Sequence, residues 1–300
     1  MPESAERRAA MHATDTVVAP PLNRVAIMGS PQKSAAAETM VRLRRWLDDR
    51  VAVVFAEQTF DSSAVLAHKP DVLIVLGGDG TLITAVHGLG ETQVPILGVN
   101  LGKLGYLAEF TIEQLEREGE FLFKTGLPLV RRAMLDVRHT GADGTSFRTL
   151  AVNDCVVLAG PPYRIVEVRV DVDADLVAHV RGDGLIIASS SGSTAHNLSA
   201  GGPILDPTDD SFVLTPICPH GLTYRPLVMR SNREINISAT QANAGTTVVI
   251  DGQTARPYRL ADKLTISRYP ADFQLVRNPR HSIWHALRRK LKWGDGPQRG

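Results

Sequence analysis

An acid set among three glycines is the first feature of the chain with chemical promise. Gly77, Gly78 and Gly80 surround Asp79, with Thr81 next. They follow the apolar run Asp71–Leu76 and precede Leu82, Ala85, Val86 and Leu89, which share one helical face. A strand that turns through glycines into a helix brings backbone amides close to a phosphate at the carboxyl end of a sheet. Gly77, Gly78, Gly80 and Thr81 are therefore candidate phosphate-loop residues, and Thr81 is the expected N-cap. The spacing is neither the dinucleotide fingerprint of dehydrogenases nor a Walker loop with its Lys-Ser/Thr pair. Asp79 would repel phosphate unless it holds a metal ion or serves as a base, and the tetrapeptide is also ordinary turn chemistry.

Other candidates lie downstream. Asn153 and Asp154 follow Leu150–Val152 and are able to pair with hydroxyl or carboxamide groups, or to form an Asx turn. Asp183, between two glycines, is either an acceptor for a sugar hydroxyl or a turn residue. Around Gly192 the small residues permit close backbone approach to a flat base, while Thr194, Asn197 and Ser199 supply hydrogen-bonding groups. Tyr106 has a ring able to stack on a base or to fill a core. Gln253 is at the tip of a hairpin beginning at Val248. His68, His87, His139 and His179 show no metal-ligand spacing, and Cys155 and Cys218 read as small buried residues.

These groups must be positioned by a chain of 300 residues, 43% hydrophobic and 22% charged with net charge +1, long enough for two domains. The charge balance excludes a bulk basic nucleic-acid surface. No apolar run reaches the 18 or so residues of a membrane span. Two cysteines are too few for a disulfide framework or a four-cysteine zinc site and point to a reducing, cytoplasmic setting. Residues 1–20 read as a disordered tail. Arg24–Met28, Val51–Phe55, Asp71–Leu76 and Pro95–Val99 read as strands and Ala35–Asp49 as a helix, so 21–128 is an α/β doubly wound, phosphate-loop domain. From 129 to 275 the pattern becomes short strands, among them Thr149–Leu158 read as one, so this half is all-β. Residues 276–300 form a closing segment, with Ile283, Trp284, Leu287 and Leu291 on one helical face and Arg288, Arg289, Lys290 and Lys292 mostly elsewhere.

Further blocks give the phosphate loop a context. Gly98-Val99-Asn100-Leu101-Gly102-Lys103-Leu104-Gly105-Tyr106-Leu107 follows the fourth strand, and Ala151-Val152-Asn153-Asp154 comes later. Gly182-Asp183-Gly184-Leu185 leads to Gly192-Ser193-Thr194-Ala195-His196-Asn197-Leu198-Ser199-Ala200-Gly201-Gly202-Pro203. Thr215–Pro219, Arg225-Pro226-Leu227 and Asp251-Gly252-Gln253 complete the order. The set, from about Val25 to Trp293, resembles the NAD kinases, which share Gly-Gly-Asp-Gly-Thr with lipid kinases of the diacylglycerol and sphingosine type.

The resemblance implies a Rossmann-like amino-terminal domain, a β-sandwich-like carboxy-terminal domain, a final helix packing back on the first, and an active site between the domains. It implies transfer of the γ-phosphoryl group of ATP, or of polyphosphate in some members, to the 2′-hydroxyl of the adenosine ribose of NAD. Asp79 is then the catalytic base. NAD binding falls to Asp79, Gly80, Asn153, Asp154, Arg164, Arg181, Asp183, Thr194, Ala195, His196, Asn197, Leu198, Ser199 and Gln253. Mg²⁺ or another divalent ion is held mainly through phosphates, with no protein ligand assigned. The implied assembly is a homodimer or homotetramer, with neither nucleic acid nor membrane as partner. Where the family has Thr-Pro-Thr-Gly-Ser-Thr-Ala-Tyr, this chain has Ser189-Ser190-Ser191-Gly192-Ser193-Thr194-Ala195-His196, so loss of the proline is expected to loosen the loop. A lipid kinase and a non-catalytic dinucleotide-binding regulator are the rival readings. The first leaves Gly192–Pro203 and Asp251–Gln253 unexplained, and the second leaves Asp79 without a use.

Overall fold

The computed structural model describes residues 16–30, 33–102, 105–162, 164–280, 287, 288, 290 and 291. The chain divides into two compact units, Met1–Arg131 with Gln274–Gly300, and Arg132–Phe273.

The first unit alternates strands and helices. Its early strands are β1 (Thr16–Ala19), β2 (Arg24–Gly29), β3 (Ala52–Glu57), β4 (Val72–Gly77), β5 (Ile96–Asn100) and β6 (Leu127–Arg132). Its helices are α1 (Ala35–Leu47), α2 (Ser62–Ala67), α3 (Asp79–Leu89), α4 (Ile112–Glu118) and α5 (Phe121–Lys124). β4 is buried at every position, as its uninterrupted apolar sequence requires of a strand covered on both faces. α1 buries Ala36, Met40, Leu43 and Leu47, one stripe at helical spacing, against the β-sheet core that includes Ile27, Ile74 and Leu97. Side chains start two of the shorter helices: Asp61 accepts from the Ala64 amide at 3.1 Å for α2, and Thr111 with Gln114 forms a capping box for α4.

The second unit is almost entirely β. β7 (Leu135–Thr140), β8 (Ser146–Ala151), β10 (Val166–Val172), β11 (Asp175–Gly182), β15 (Ile235–Gln241) and β18 (Lys263–Arg268) form one antiparallel sheet in the order β11-β10-β15-β18-β7-β8. β9 (Asp154–Leu158), β12 (Gly184–Ser189), β13 (Ser211–Ile217), β14 (Leu227–Arg230), β16 (Thr247–Ile250) and β17 (Thr254–Pro257) form the other, in the order β14-β13-β12-β9-β16-β17. Alternate residues of both sheets, such as Val137, Val168 and Ile266 from one and Val157, Ile187 and Val248 from the other, share a single core. That shared core makes a β-sandwich. A short helix, α6 (His196–Ser199), interrupts the β pattern. The chain then returns to the first unit with β19 (Phe273–Val276), which lies between β6 and β5, is parallel to β5, and completes the order β1-β6-β19-β5-β4-β2-β3.

The α/β and all-β halves are those expected from the sequence, with two differences. Thr16–Ala19, inside the expected tail, pairs antiparallel with β6, while residues 1–15 lie outside the described residues. The single strand expected over Thr149–Leu158 is two strands, β8 and β9, which belong to different sheets. Of the closing segment, Leu287, Arg288, Lys290 and Leu291 are described and helical, with Leu287 buried; Ile283, Trp284, Arg289 and Lys292 lie outside the described residues. Among the described residues no helix is long and apolar enough to cross a membrane.

Ile74 is fully buried in β4. Ile74→Ala is expected to cost about 2–5 kcal/mol, read as a lowered urea midpoint by tryptophan fluorescence. None of the three tryptophans, Trp46, Trp284 and Trp293, falls in Arg132–Phe273, so the signal follows the first unit.

Candidate active site

In the first sheet β2 has β3 on one side and β4 on the other, so the strand order reverses between β2 and β4. The carboxyl ends at such a reversal are where open α/β sheets take their ligands. A hollow of about 540 Å³ lies there, lined among others by Lys33, Thr59, Gly78, Gly80, Thr81 and Thr84. Helix α3 begins at Asp79 with Gly78 as its N-cap, not at the expected Thr81. Thr81 instead packs inside the first turn against Gly77, where a Cβ would stand 2.4 Å from its Oγ1. The Lys33 ammonium lies beside this helix start, 3.6 Å from where a Cβ on Gly78 would be. A cation, amide dipoles and threonine hydroxyls on one hollow suit a polyphosphate.

Asp79 is placed with its carboxylate turned to the segment after β5. Its Oδ2 accepts the Tyr106 amide at 2.7 Å, and its Oδ1 accepts those of Leu107 and Ala108 at 3.1 and 3.3 Å. The fit is close enough that a Cβ on Gly105 would come within 1.8 Å of Oδ1, so glycine is required there. The Asp79 side chain stays 30% exposed and reachable. Tyr106, read as a ring for stacking, has the Lys290 ammonium 3.8 Å from its centroid, which occupies one face.

In the second unit Asp251 repeats this arrangement. Its carboxylate accepts the amides of Val152, Asn153 and Asp154 at 2.8, 2.7 and 3.0 Å, and its own amide donates to the Asp154 carbonyl at 2.9 Å. Asp251 thus holds the joint between β8 and β9. The neighbouring loop, Ser189–Thr194, packs on the same joint: the Ser189 hydroxyl donates to the Val152 carbonyl at 2.5 Å, and a Cβ on Gly192 would lie 2.0 Å from the Asn153 carbonyl oxygen. Ser190 donates to the carbonyls of Asp209 and Ser211. Buried serine hydroxyls therefore tie down the loop that loss of the proline was expected to loosen.

Asp154 is buried, and its carboxyl pKa is pushed up to about 7, by desolvation first and the Asp251 charge second, against the His196 amide that it accepts. The loop turns Thr194, Ala195, His196, Leu198 and Ser199 partly or fully to the surface. Asn197 points the other way and is fully buried. Its amide donates to the Ser193 and Pro203 carbonyls and its oxygen accepts from Thr215 at 2.6 Å, so the expected ligand contact is an internal brace.

Three expected NAD contacts lie elsewhere in this unit. Gly184 of β12 pairs with Leu158 and Ala188 with Asp154. Asp183 therefore sits at the far end of β12 from the Asp154 joint, about 17 Å away at the usual strand rise. Arg181 is beside it and exposed, its carbonyl accepting from the His220 amide at 2.9 Å; Arg164 is exposed, two residues before β10, whose Val166 pairs with Gly182. One chain does not bring these three to Asp154. Cys218 is exposed, not buried as expected, and the Asp183 carboxylate beside its thiol raises the thiol pKa. Gln253 is in the β16–β17 turn two residues past Asp251, its amide on the Ile250 carbonyl. Sequence reasoning passed over Lys33, Asp251 and Lys290. Asp251 belonged to a recognised block, but nothing in the spacing distinguished its carboxylate from Gln253.

Models of the ATP-NAD kinase N-terminal and C-terminal domains match residues 25–126 and 152–278. An NAD kinase of Rhodopirellula baltica is 35% identical over 272 residues, covering 90% of this chain and 86% of that protein. The chain belongs to the NAD kinase family. An NAD kinase of Acidobacterium capsulatum is 37% identical over 91% of this chain and 100% of its own length. Among solved structures, an NAD kinase from Archaeoglobus fulgidus in complex with ATP has a TM-score of 0.70 at 26% identity, covering 90% of this chain and 98% of that one. Yeast NADH kinase complexed with NADH shares the fold, with a TM-score of 0.82 at 23% identity over 93% of this chain and 90% of that one.

The Asp154 carboxyl has a clear stability signature. Its folded pKa is about 7 against a reference of 3.8, so the folded chain binds more protons between these values and loses stability as pH rises from about 4 to 7. Asp154→Asn is expected to flatten that fall, measured as urea midpoints across the window. Gly192→Ala is expected to push the loop off Asn153 and weaken NAD binding at least tenfold by calorimetry while leaving the tryptophan-reported first unit unchanged.

Proposed function

We propose that the chain transfers the γ-phosphoryl group of ATP to the 2′-hydroxyl of the adenosine ribose of NAD, giving NADP and ADP. The observation that carries this is Asp79, a reachable carboxylate at the start of α3, between Gly78 and Gly80 of the 540 Å³ hollow. A ribose hydroxyl attacks phosphorus poorly until its proton is taken, and a positioned base supplies ~10²–10⁴-fold. A carboxylate has about four lone-pair sites, and Asp79 spends three on amides, leaving one on Oδ2 for the hydroxyl proton. As the ribose oxygen bonds to the γ-phosphorus, the bond to the β,γ-bridging oxygen breaks and ADP leaves with its electron pair. Lys33 and the amides at the start of α3 bind the donor phosphates. Asn153, Asp154, Thr194, Ala195, His196, Leu198 and Ser199 bind NAD, with Asn197 bracing their loop from within.

Among the described residues no three His, Cys, Asp or Glu side chains converge on a metal position. A divalent cation would be held mainly through the oxygens of the donor phosphates, with Asp79, at the start of α3, the carboxylate of this chain next to the glycines of that hollow. Once bound, it neutralises phosphate charge. We propose a cytoplasmic homodimer or homotetramer, a setting that suits the free Cys155 and Cys218.

The test is NADP formation from NAD, ATP and Mg²⁺, beside diacylglycerol and a sphingoid base as acceptors. NADP is expected, with kcat reduced about 10²–10⁴-fold in Asp79→Asn. Lys33→Met is expected to raise the KM for ATP and leave that for NAD nearly unchanged. A phosphorylated lipid without NADP would overturn the reading in favour of a lipid kinase, and NAD binding without turnover in favour of a regulator.

A further inference from the structure

The Lys290 ammonium comes from the end of the chain to stand 3.9 Å from Asp79 Oδ2 and 3.8 Å from the centroid of the Tyr106 ring. Its side chain is 21% exposed. That environment is unusual for a lysine, which normally keeps its ammonium in water. Burial pulls the Lys290 pKa below the ordinary lysine range, with Asp79 pulling the other way. The Tyr106 hydroxyl beneath is buried and finds no hydrogen-bond partner among the described residues, so this ring is not held by its polar end. What the ring does have is a cation on its face, while its backbone amide is on Asp79. Lys290, Tyr106 and Asp79 thus form a closed set of three contacts: ammonium to ring, ammonium to carboxylate, and the Tyr106 backbone amide to the same carboxylate.

We infer that Lys290 is a positioning residue for the phosphoryl transfer: its charge holds Oδ2 of Asp79 and, through the Tyr106 ring, the segment that anchors the same carboxylate. The inference rests on the reading of Asp79 as the base. At 3.9 Å the ammonium is an ion-pair partner too distant for a good hydrogen bond, so it orients Oδ2 without filling the lone pair that the ribose hydroxyl needs. An uncharged side chain of similar length would still cover Tyr106 but would not orient the carboxylate. A role in packing and a role in positioning therefore part company at the charge.

The experiment compares full-length Lys290→Met, Lys290→Gln and Lys290→Arg by steady-state kinetics, with Asp79→Asn and the Asp79→Asn/Lys290→Met double variant. Methionine is expected to lower kcat at least tenfold with the KM for NAD within about twofold, and arginine to restore most of the loss. In the Asp79→Asn background, Lys290→Met is expected to add nothing further. Full kcat in Lys290→Met, or multiplicative losses in the double variant, would overturn the inference. If the methionine variant does not fold, as judged by its thermal melt and NAD calorimetry, the glutamine variant carries the same test. Should Asp79→Asn itself keep full activity, the base assignment fails; an inactive Asp79→Asn beside a fully active Lys290→Met sinks the lysine alone.

Discussion

One kind of contact holds an irregular segment in each of the two units: a carboxylate accepting three consecutive backbone amides. Asp79 does this for Tyr106, Leu107 and Ala108, and Asp251 for Val152, Asn153 and Asp154. Amides in a turning segment point outward with no strand or helix to receive them, and each left unpaired in a buried place costs about 1–3 kcal/mol. One ionised acceptor satisfies them together through charge-assisted bonds. It also sets the curvature of the segment, since all three N–H groups must converge. Gly105 and Gly192 follow from that curvature: each lies where a methyl group would strike the carboxylate or the turned backbone.

The two sites differ in what surrounds them. Asp79 is partly open and has a lysine nearby, so one side of its carboxylate stays reachable while the other anchors the segment after β5. Asp251 has a second carboxyl group as its neighbour, and Asp154 receives the His196 amide in place of three. Burial first, and the neighbouring Asp251 charge second, make ionisation of Asp154 costly, and the single His196 amide only partly offsets them. The joint of β8 and β9 is accordingly rigid in its backbone and titratable in its side chain.

Much of this was legible in the sequence because local rules and tertiary needs agreed. The apolar run of β4 ending in Gly77 and Gly78 announces both a buried parallel strand and a glycine turn into a helix, and the short β-rich segments after Pro128 announce the sandwich. The failures occur where a tertiary partner decides. Thr149–Leu158 is β-prone on both sides of Asn153-Asp154, and the break there is held by Asp251, about a hundred residues on. Asn197 has the chemistry of a ligand contact, but its orientation is set by Thr215 and by carbonyls of its own loop. β1 and β19 are four-residue strands whose pairing partners lie far away, too short to carry a periodic signal. Arg181 and Asp183 were grouped with Asp154 by motif order, which says nothing of the length of β12 between them.

The position of β19 bears on how the protein is made. The first sheet has β19 between β5 and β6, yet β19 follows the whole Arg132–Phe273 unit in the chain. On the ribosome, β5 and β6 must wait unpaired on their facing sides while some 140 residues of sandwich emerge, an interval in which open strand edges invite association with other nascent chains. Lys290 emerges later still. A growing chain therefore possesses the glycine turn from β4 into α3 early, but the surroundings of Asp79 are completed only after translation has passed residue 290.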